Sequence, residues 1–270
     1  MMKKWMVFLT ALCCLSFSVA GQTRQCLPVR TPDQVPYGDG EKLTFAISYN
    51  WLGVKTDVAR ATMSVGETAF DGTPSWKIGF FAKTAKFFDV FFPVRENFES
   101  IVGIADGRPR KFLRDTKEGN YTAYNLFYYD WNARVVGGDI DKSSSGKQRV
   151  EFPLGDCTSD LPALVYSIRN MDRDALRMNV PYTVSFVMDT KYSDITLVCK
   201  GVEPRKVAGL GKVNCLKFSI SVNAGEVFDG GEDAFIWFTD DDRRMPVYFK
   251  APLKIGAVGG RLTACEGLKP

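Results

Sequence analysis

The stretch Leu43-Thr44-Phe45-Ala46-Ile47-Ser48-Tyr49 alternates large apolar residues with small or polar ones. Alternation of period two over seven positions marks a strand with one buried face. Ala59-Arg-Ala-Thr-Met-Ser-Val65 repeats the device, and Asp71-Gly72 then leads into Trp76-Lys-Ile-Gly-Phe-Phe-Ala82, consistent with a hairpin. Working outward, strands are expected at 95–102, 111–116, 121–131 and 133–136. Turns at Asp106-Gly107, Glu118-Gly119-Asn120 and Gly137-Gly138 separate them, and a polar loop runs from Asp141 to Gly146. Strands resume at 182–188, 195–199, 212–221, 234–238, 246–250 and 259–264. Between the two series lies the best helix, Asp160 to Met171. Asp160 suits an N-cap, Pro162 is tolerated in the first turn, and Leu161, Leu164, Val165, Ile168 and Met171 give one apolar face.

Many short strands with one or two short helices make a mainly β protein built on a meandering antiparallel sheet. A flat sheet of this size would expose an apolar face. It is therefore expected to curl into a barrel or half-barrel, or to fold into a sandwich, with the helix available to cover an open mouth.

The chain has 270 residues, 45% of them apolar and 24% charged, as an ordinary folded protein does. Its net charge of +4 supplies no electrostatic case for a nucleic-acid partner. It contains no histidine, which excludes Ser-His-Asp and Cys-His catalysis, histidine-ligated zinc and imidazole acid–base chemistry. No cofactor is called for, and no catalytic motif is recognisable.

The first 20 residues read as an export signal. Lys3 and Lys4 precede an apolar run from Trp5 to about Val19 that is too short to span a bilayer, and Ser18-Val19-Ala20 suits cleavage. Residues 21–40 read as a linker and 41–270 as a single antiparallel β domain, with no transmembrane anchor once the signal is removed. The expected location is the periplasm or the exterior. Cys13 and Cys14 fall within the signal, which leaves Cys26, Cys157, Cys199, Cys215 and Cys265. An oxidising compartment favours disulfides, and the odd number leaves at least one thiol unpaired within the chain.

Thr84-Ala-Lys-Phe87-Phe88-Asp-Val90-Phe91-Phe92-Pro93 carries four phenylalanines in six positions, too many for the inner side of one strand. At helical spacing Phe87, Phe88 and Phe91 share a face, with Phe92 beside Phe88. One reading is a hydrophobic flap that lines a cavity for an apolar ligand or docks on lipid or a partner; the other is a short helix plugging the end of a barrel. Asp240-Asp-Asp-Arg-Arg244 lacks the glycine and distal glutamate of a calcium loop and reads as a solvated hairpin tip. Gly209-Leu-Gly211-Lys212 fits neither a phosphate loop nor a dinucleotide fingerprint and reads as a turn before a strand.

An ordered series of motifs resembles one exported bacterial family, the domain of unknown function 3108, with members of Bacteroides type. It includes Gly40-Glu-Lys-Leu-Thr-Phe45, Ser48-Tyr49-Asn50-Trp51, Phe87-Phe-Asp-Val-Phe-Phe92, Arg114-Asp115 with Glu118-Gly119 and Tyr121, and Cys157 through Asp160 with Tyr166 and Arg169-Asn170. It continues through Gly211-Lys212 with Cys215, Gly230-Gly231-Glu232-Asp233, Trp237 to Pro246, and Glu266-Gly267-Leu268. The resemblance implies an exported, mostly β protein with no assigned reaction, so no catalytic residue is carried over. It also implies a disulfide between Cys157 and Cys215. By analogy of fold, periplasmic lipoprotein carriers with curved half-barrels hold acyl chains.

The reading that follows is a non-enzymatic exported protein that holds an apolar or lipid-like ligand in a curled sheet, with Phe87, Phe88, Phe91 and Phe92 as ligand contacts. An envelope structural or assembly protein, using the same aromatic patch against a protein partner, is the alternative. A carboxylate-based hydrolase pairing Glu118 with Asp115 ranks third, since glycoside hydrolysis needs two carboxyls about 5–10 Å apart across a cleft.

Overall fold

The computed structural model describes residues 25–31, 34–222, 234–253 and 255–269. The export signal and the Gly230-Gly231-Glu232-Asp233 stretch lie outside them. Among the described residues, fifteen strands form one sheet. The first series is β1 (Lys42–Trp51), β2 (Val54–Phe70), β3 (Thr73–Thr84), β4 (Val94–Gly103), β5 (Pro109–Glu118), β6 (Tyr121–Asp130), β7 (Val135–Lys142) and β8 (Gly146–Pro153). After β9 (Thr158–Ser159) come β10 (Pro181–Met188), β11 (Lys191–Val207), β12 (Gly211–Val222), β13 (Ala234–Thr239), β14 (Pro246–Pro252) and β15 (Ala257–Glu266). Helix α1 (Lys86–Asp89) joins β3 to β4, and α2 (Leu161–Arg169) follows β9.

Sequential strands pair antiparallel, β15 returns to pair with β1, and only β9 lies parallel to its neighbour β10. The order therefore runs from β8 through β1 and β15 to β9, an open, barrel-like curl with two free edges. The curl is fastened across its interior. Val187 and Tyr192 of the β10–β11 hairpin pack on Phe112, Phe127, Val136 and Ile140 of β5 to β7. At the tip of that hairpin Asp189 meets Arg114 at 3.1 Å and accepts from Asn125 Nδ2 at 3.0 Å. Two distant stretches of one sheet thus bury each other's apolar faces.

Helix α2 begins as the sequence leads one to expect: Asp160 Oδ1 accepts from Ala163 N at 3.0 Å, and Pro162 occupies the first turn. It is not amphipathic in place. Seven of its nine residues are buried, including Arg169, because it lies within the curl. A helix enclosed on all sides has no solvent face to spend on polar residues.

Four expectations are corrected. Gly137 and Gly138 are no turn; they lie inside β7, where a Cβ would collide with the Val150 and Leu126 carbonyl oxygens of the flanking strands. The loop expected at 141–146 shrinks to residues 143–145, and β8 follows, unforeseen because as an edge strand its residues are mostly exposed and polar. The segment read as a linker buries Leu27, Val35 and Tyr37 in the main core. Finally, the disulfide joins Cys157 to Cys26, whereas Cys215 is a buried free thiol. The reason lies on β10: Thr183 N donates to Gln25 O and Ser185 N to Cys157 O, so one strand edge gathers both segments. Cys215, on β12, is enclosed in the core without a thiol partner.

Candidate functional site

Because the strands alternate in direction, the β1–β2, β3–β4 and β14–β15 connections emerge at the same end of the sheet, and the pairs that carry them are consecutive in its order. All three tips expose apolar side chains. Phe87, Val90 and Phe91 are 70%, 81% and 73% exposed, Leu52 is 84% exposed, and Trp51, Val54, Phe92, Leu253 and Ile255 are exposed as well. Exposed apolar side chains are usually scattered singly, so their gathering on three tips at one end of the sheet is the informative case.

The phenylalanine segment forms the expected helical turn. Phe88 N and Asp89 N both donate to Ala85 O, and Phe91 N and Phe92 N both donate to Phe88 O. Pro93 then disfavours helix at Phe92 and ends the turn. The Phe87 ring packs edge-on against Phe88 at 5.2 Å and against Phe91 at 5.6 Å. Phe88 is half-buried, and Phe92 lies over Gly119, where a Cβ would stand 2.8 Å from the ring. The structure thus brings Phe87, Phe88 and Phe91 together, sets Phe92 apart against Gly119, and leaves Phe87, Phe91 and Phe92 exposed rather than plugging the barrel.

A polar lock holds the base of this loop. Arg95 clasps Asp89 with Nη1 to Oδ1 at 2.8 Å and Nη2 to Oδ2 at 2.5 Å, the Thr84 hydroxyl donates to Asp89, and Val94 N donates to Thr84 Oγ1 at 3.0 Å. Those hydrogen bonds, Arg95 first, pull the Asp89 carboxyl down to about 2.

The β14–β15 tip is tied to β1. Tyr49 OH donates to Ile255 O at 2.7 Å, and Gly256, left-handed at φ 76°, leaves no room for a Cβ against Asn50 O. At the β1–β2 tip Leu52 (φ 48°) and Gly53 (φ 83°) are both left-handed. Asp71 and Gly72 make a turn of the same kind (φ 47° and 76°) at the opposite end of the sheet. Asparagine or aspartate normally fills the first of these positions. A leucine there accepts backbone strain while its side chain points into water. No feature of the sequence analysis had singled out Leu52 or Ile255; an apolar residue inside a hairpin turn was the available signal.

Below this end, on the inner faces of β4 and β5, Glu96 Oε2 accepts from Thr116 Oγ1 at 2.6 Å. Burial pushes the Glu96 carboxyl up to about 7, with the neighbouring Glu118 carboxyl adding to the rise. Burial likewise lifts Asp160 to about 7, against hydrogen bonds from Ala163 N, the Ser100 hydroxyl and the Tyr129 hydroxyl. Both groups bind their protons more tightly in the fold than in the unfolded chain. Their contribution is complete below the ordinary carboxyl range and is lost as pH rises through about 7. The melting temperature is expected to fall by several degrees between pH 5 and 8, at about 2–4 °C per kcal/mol for a chain of this size. Glu96→Gln with Asp160→Asn should flatten that slope; an unchanged slope in calorimetry would reject the assignment.

The carboxylate pair that motivated a hydrolase is not assembled. Asp115 and Glu118 are three apart on β5 and so project from opposite faces of the sheet. Asp240 to Arg244 form the β13–β14 hairpin loop. There Asp241 Oδ1 accepts from the Thr239 hydroxyl and from the backbone of Arg243 and Arg244, and Arg173 pairs with Asp240 at 3.0 Å. Gly209 lies in the turn before β12, and Gly211 opens that strand, both left-handed. Two shallow clefts lie at the end opposite the phenylalanines. One is bordered by Arg30, Arg173 and Asp240, the other by Asp106, Arg110 and Trp131. Among the described residues no helix is long and apolar enough to cross a membrane.

No curated protein matches the sequence. Among solved structures, the chain is similar to a β-barrel-like protein of the domain of unknown function DUF1849 from Brucella abortus. The identity is 9%, the TM-score 0.55, and the match covers 91% of this chain and all of that one. At that identity the likeness concerns the fold alone. A candidate lipoprotein from Parabacteroides distasonis aligns over 90% of this chain and all of its own, at 10% identity and a TM-score of 0.37. The profile of the family described as "Protein of unknown function (DUF3108)" matches residues 44–263, most of the chain and nearly the whole sheet. The strands from Phe45 on β1 to Thr263 on β15 thus follow one family pattern, and the chain belongs to DUF3108.

Proposed function

We propose that this is an exported binding protein, periplasmic or secreted and without catalytic activity, that engages an apolar or lipid-like ligand at the aromatic end of its sheet. The observation that carries the reading is the exposure of Phe87 and Phe91 on a loop whose base is tied down by Asp89 and Arg95. Exposed aromatic rings on a fixed loop are positioned to contact a partner. The contact is assigned to the outside of the curl and not to a groove within it, because α2 and the aromatic core occupy the interior toward the start of β1. The disulfide fits an oxidising compartment. Phe87, Phe88, Phe91 and Phe92 keep the role of ligand contacts, Phe88 as the half-buried support.

A second reading, an envelope assembly protein, draws on the unpaired outer edge of β8, a template for strand addition.

The test is titration with an apolar naphthylamine probe that fluoresces on leaving water. Wild type should bind it, and Phe87→Ser with Phe91→Ser should weaken binding by about tenfold or more, since two large side chains are lost from the contact. Circular dichroism and melting should not change, because both rings are exposed. Equal binding by the variant would place any ligand elsewhere and overturn the reading.

A further inference from the structure

Resting on that reading, we infer that the surface engaged by the aromatic end is an anionic lipid bilayer, into whose interface the three apolar tips insert together. The first support is shape. Trp51, Leu52, Phe87, Val90, Phe91 and Ile255 stand on three separate loop tips at one end of the sheet. Projecting tips suit a deformable interface that closes around each of them. Trp51 is suited to the level of the headgroups, where an amphipathic ring is most stable.

The second support is charge. Lys55 adjoins the β1–β2 tip, and Lys83 and Lys86 flank the start of the phenylalanine loop. Among the described residues none of the three forms a close ion pair with a carboxylate; Lys55 lies 5.7 Å from the centroid of the Tyr248 ring, and Lys55 and Lys83 act on Asp57 and Asp89 only at longer range. Two carboxylates beside these loops are paired: Arg261 holds Asp57 through two hydrogen bonds of 2.7 and 2.6 Å, and Arg95 holds Asp89, while Glu118 lies on the neighbouring β5–β6 turn. Apolar tips beside ammonium groups that no carboxylate holds in a close ion pair match the hydrocarbon boundary and the anionic headgroups above it.

The third support is the contrast between the two ends. Where the Asp71-Gly72 turn points away from this surface its first residue is aspartate, and the hairpins at Asp106 and at Asp240 to Asp242 are acidic too. The same left-handed turn at the aromatic end carries Leu52. The exposed apolar tips are thus gathered at one end of the sheet, which also carries the Glu118 turn and Asp189, the latter paired with Arg114.

The test is sedimentation of the purified protein with vesicles of phosphatidylethanolamine and phosphatidylglycerol, in parallel with vesicles of phosphatidylcholine alone. Wild type should bind the anionic vesicles and bind the neutral ones about tenfold less, with the difference shrinking as salt is raised. Leu52→Ser with Phe87→Ser and Phe91→Ser should lose about tenfold or more on the anionic vesicles. Lys55→Gln with Lys86→Gln should lose the preference for anionic lipid while still binding the naphthylamine probe. Brominated acyl chains should quench wild-type tryptophan fluorescence, and Trp51→Phe should remove most of that quenching. Failure of wild type to sediment with anionic vesicles, while the probe still binds through Phe87 and Phe91, would overturn the membrane assignment and leave the apolar-ligand reading in place. Undiminished sedimentation of the serine variant would overturn it also, by assigning the contact to another surface.

Discussion

Replacing Arg169 with leucine is expected to destabilise the protein by about 3–5 kcal/mol, the usual cost of stranding one member of a buried ion pair. Arg169 and Glu41 are both fully buried. The guanidinium donates through Nη2 to Glu41 Oε2 at 2.9 Å and through Nη1 to Oε1, so the pair is bidentate. Tyr166 OH also donates to Glu41, and the rings of Tyr166 and Tyr37 face the guanidinium carbon at 4.9 and 5.3 Å. The cluster joins α2 to the segment that leads into β1, adding side-chain bonds to the Val29–Met171 bridge between the N-terminal segment and the end of the helix. Leucine at 169 leaves a carboxylate in the core with a single hydroxyl donor. The melting temperature should drop by on the order of 10 °C. Adding Glu41→Leu should recover much of the loss, because the double variant leaves no unpaired charge. A single variant within about 1 kcal/mol of wild type by urea denaturation would show that water reaches Glu41 and that the pair is not enclosed.

Removal of the disulfide is the second large effect. Cys26 and Cys157 are 131 residues apart in sequence, so the bridge closes a loop that spans β1 to β8. Cross-links over loops of this length restrict the unfolded chain and contribute about 2–5 kcal/mol. Cys26→Ser with Cys157→Ser should lower the urea midpoint accordingly and, beyond that, free the segment at Gln25, whose carbonyl accepts from Thr183 N. Proteolysis in the 25–31 segment should therefore accelerate more than global stability alone accounts for. Reduction of wild type should reproduce the effect, whereas Cys215→Ser should leave the response to reductant unchanged because Cys215 is a free thiol. A reductant-insensitive wild type would contradict the Cys26–Cys157 pairing.

Much of this architecture is local and hence legible in the residues. Alternation at Leu43 to Tyr49 and at Trp76 to Ala82 reports a sheet with one buried face, because a strand's side-chain period is two whatever surrounds it. Asp160 and Pro162 place the start of α2 for the same reason, since a helix N-terminus is satisfied by its own first residues. The phenylalanine turn also follows from spacing and from Pro93. What stayed hidden depends on partners distant in sequence. Gly137 and Gly138 look like a turn until the flanking strands β6 and β8 are set against them. Cys157 cannot be matched with Cys26 until β10 brings their segments to one edge.

The candidate surface divides in the same way. The individual strands, the helix and the aromatic loop are legible in the residues, because alternation, capping and turn spacing act within a few positions. That Leu52 and Ile255 share one end of the molecule with Phe87 emerges only from long-range pairing. That proximity arises from β15 closing onto β1, a pairing whose energy resides in hydrogen bonds and buried area between the two ends of the chain.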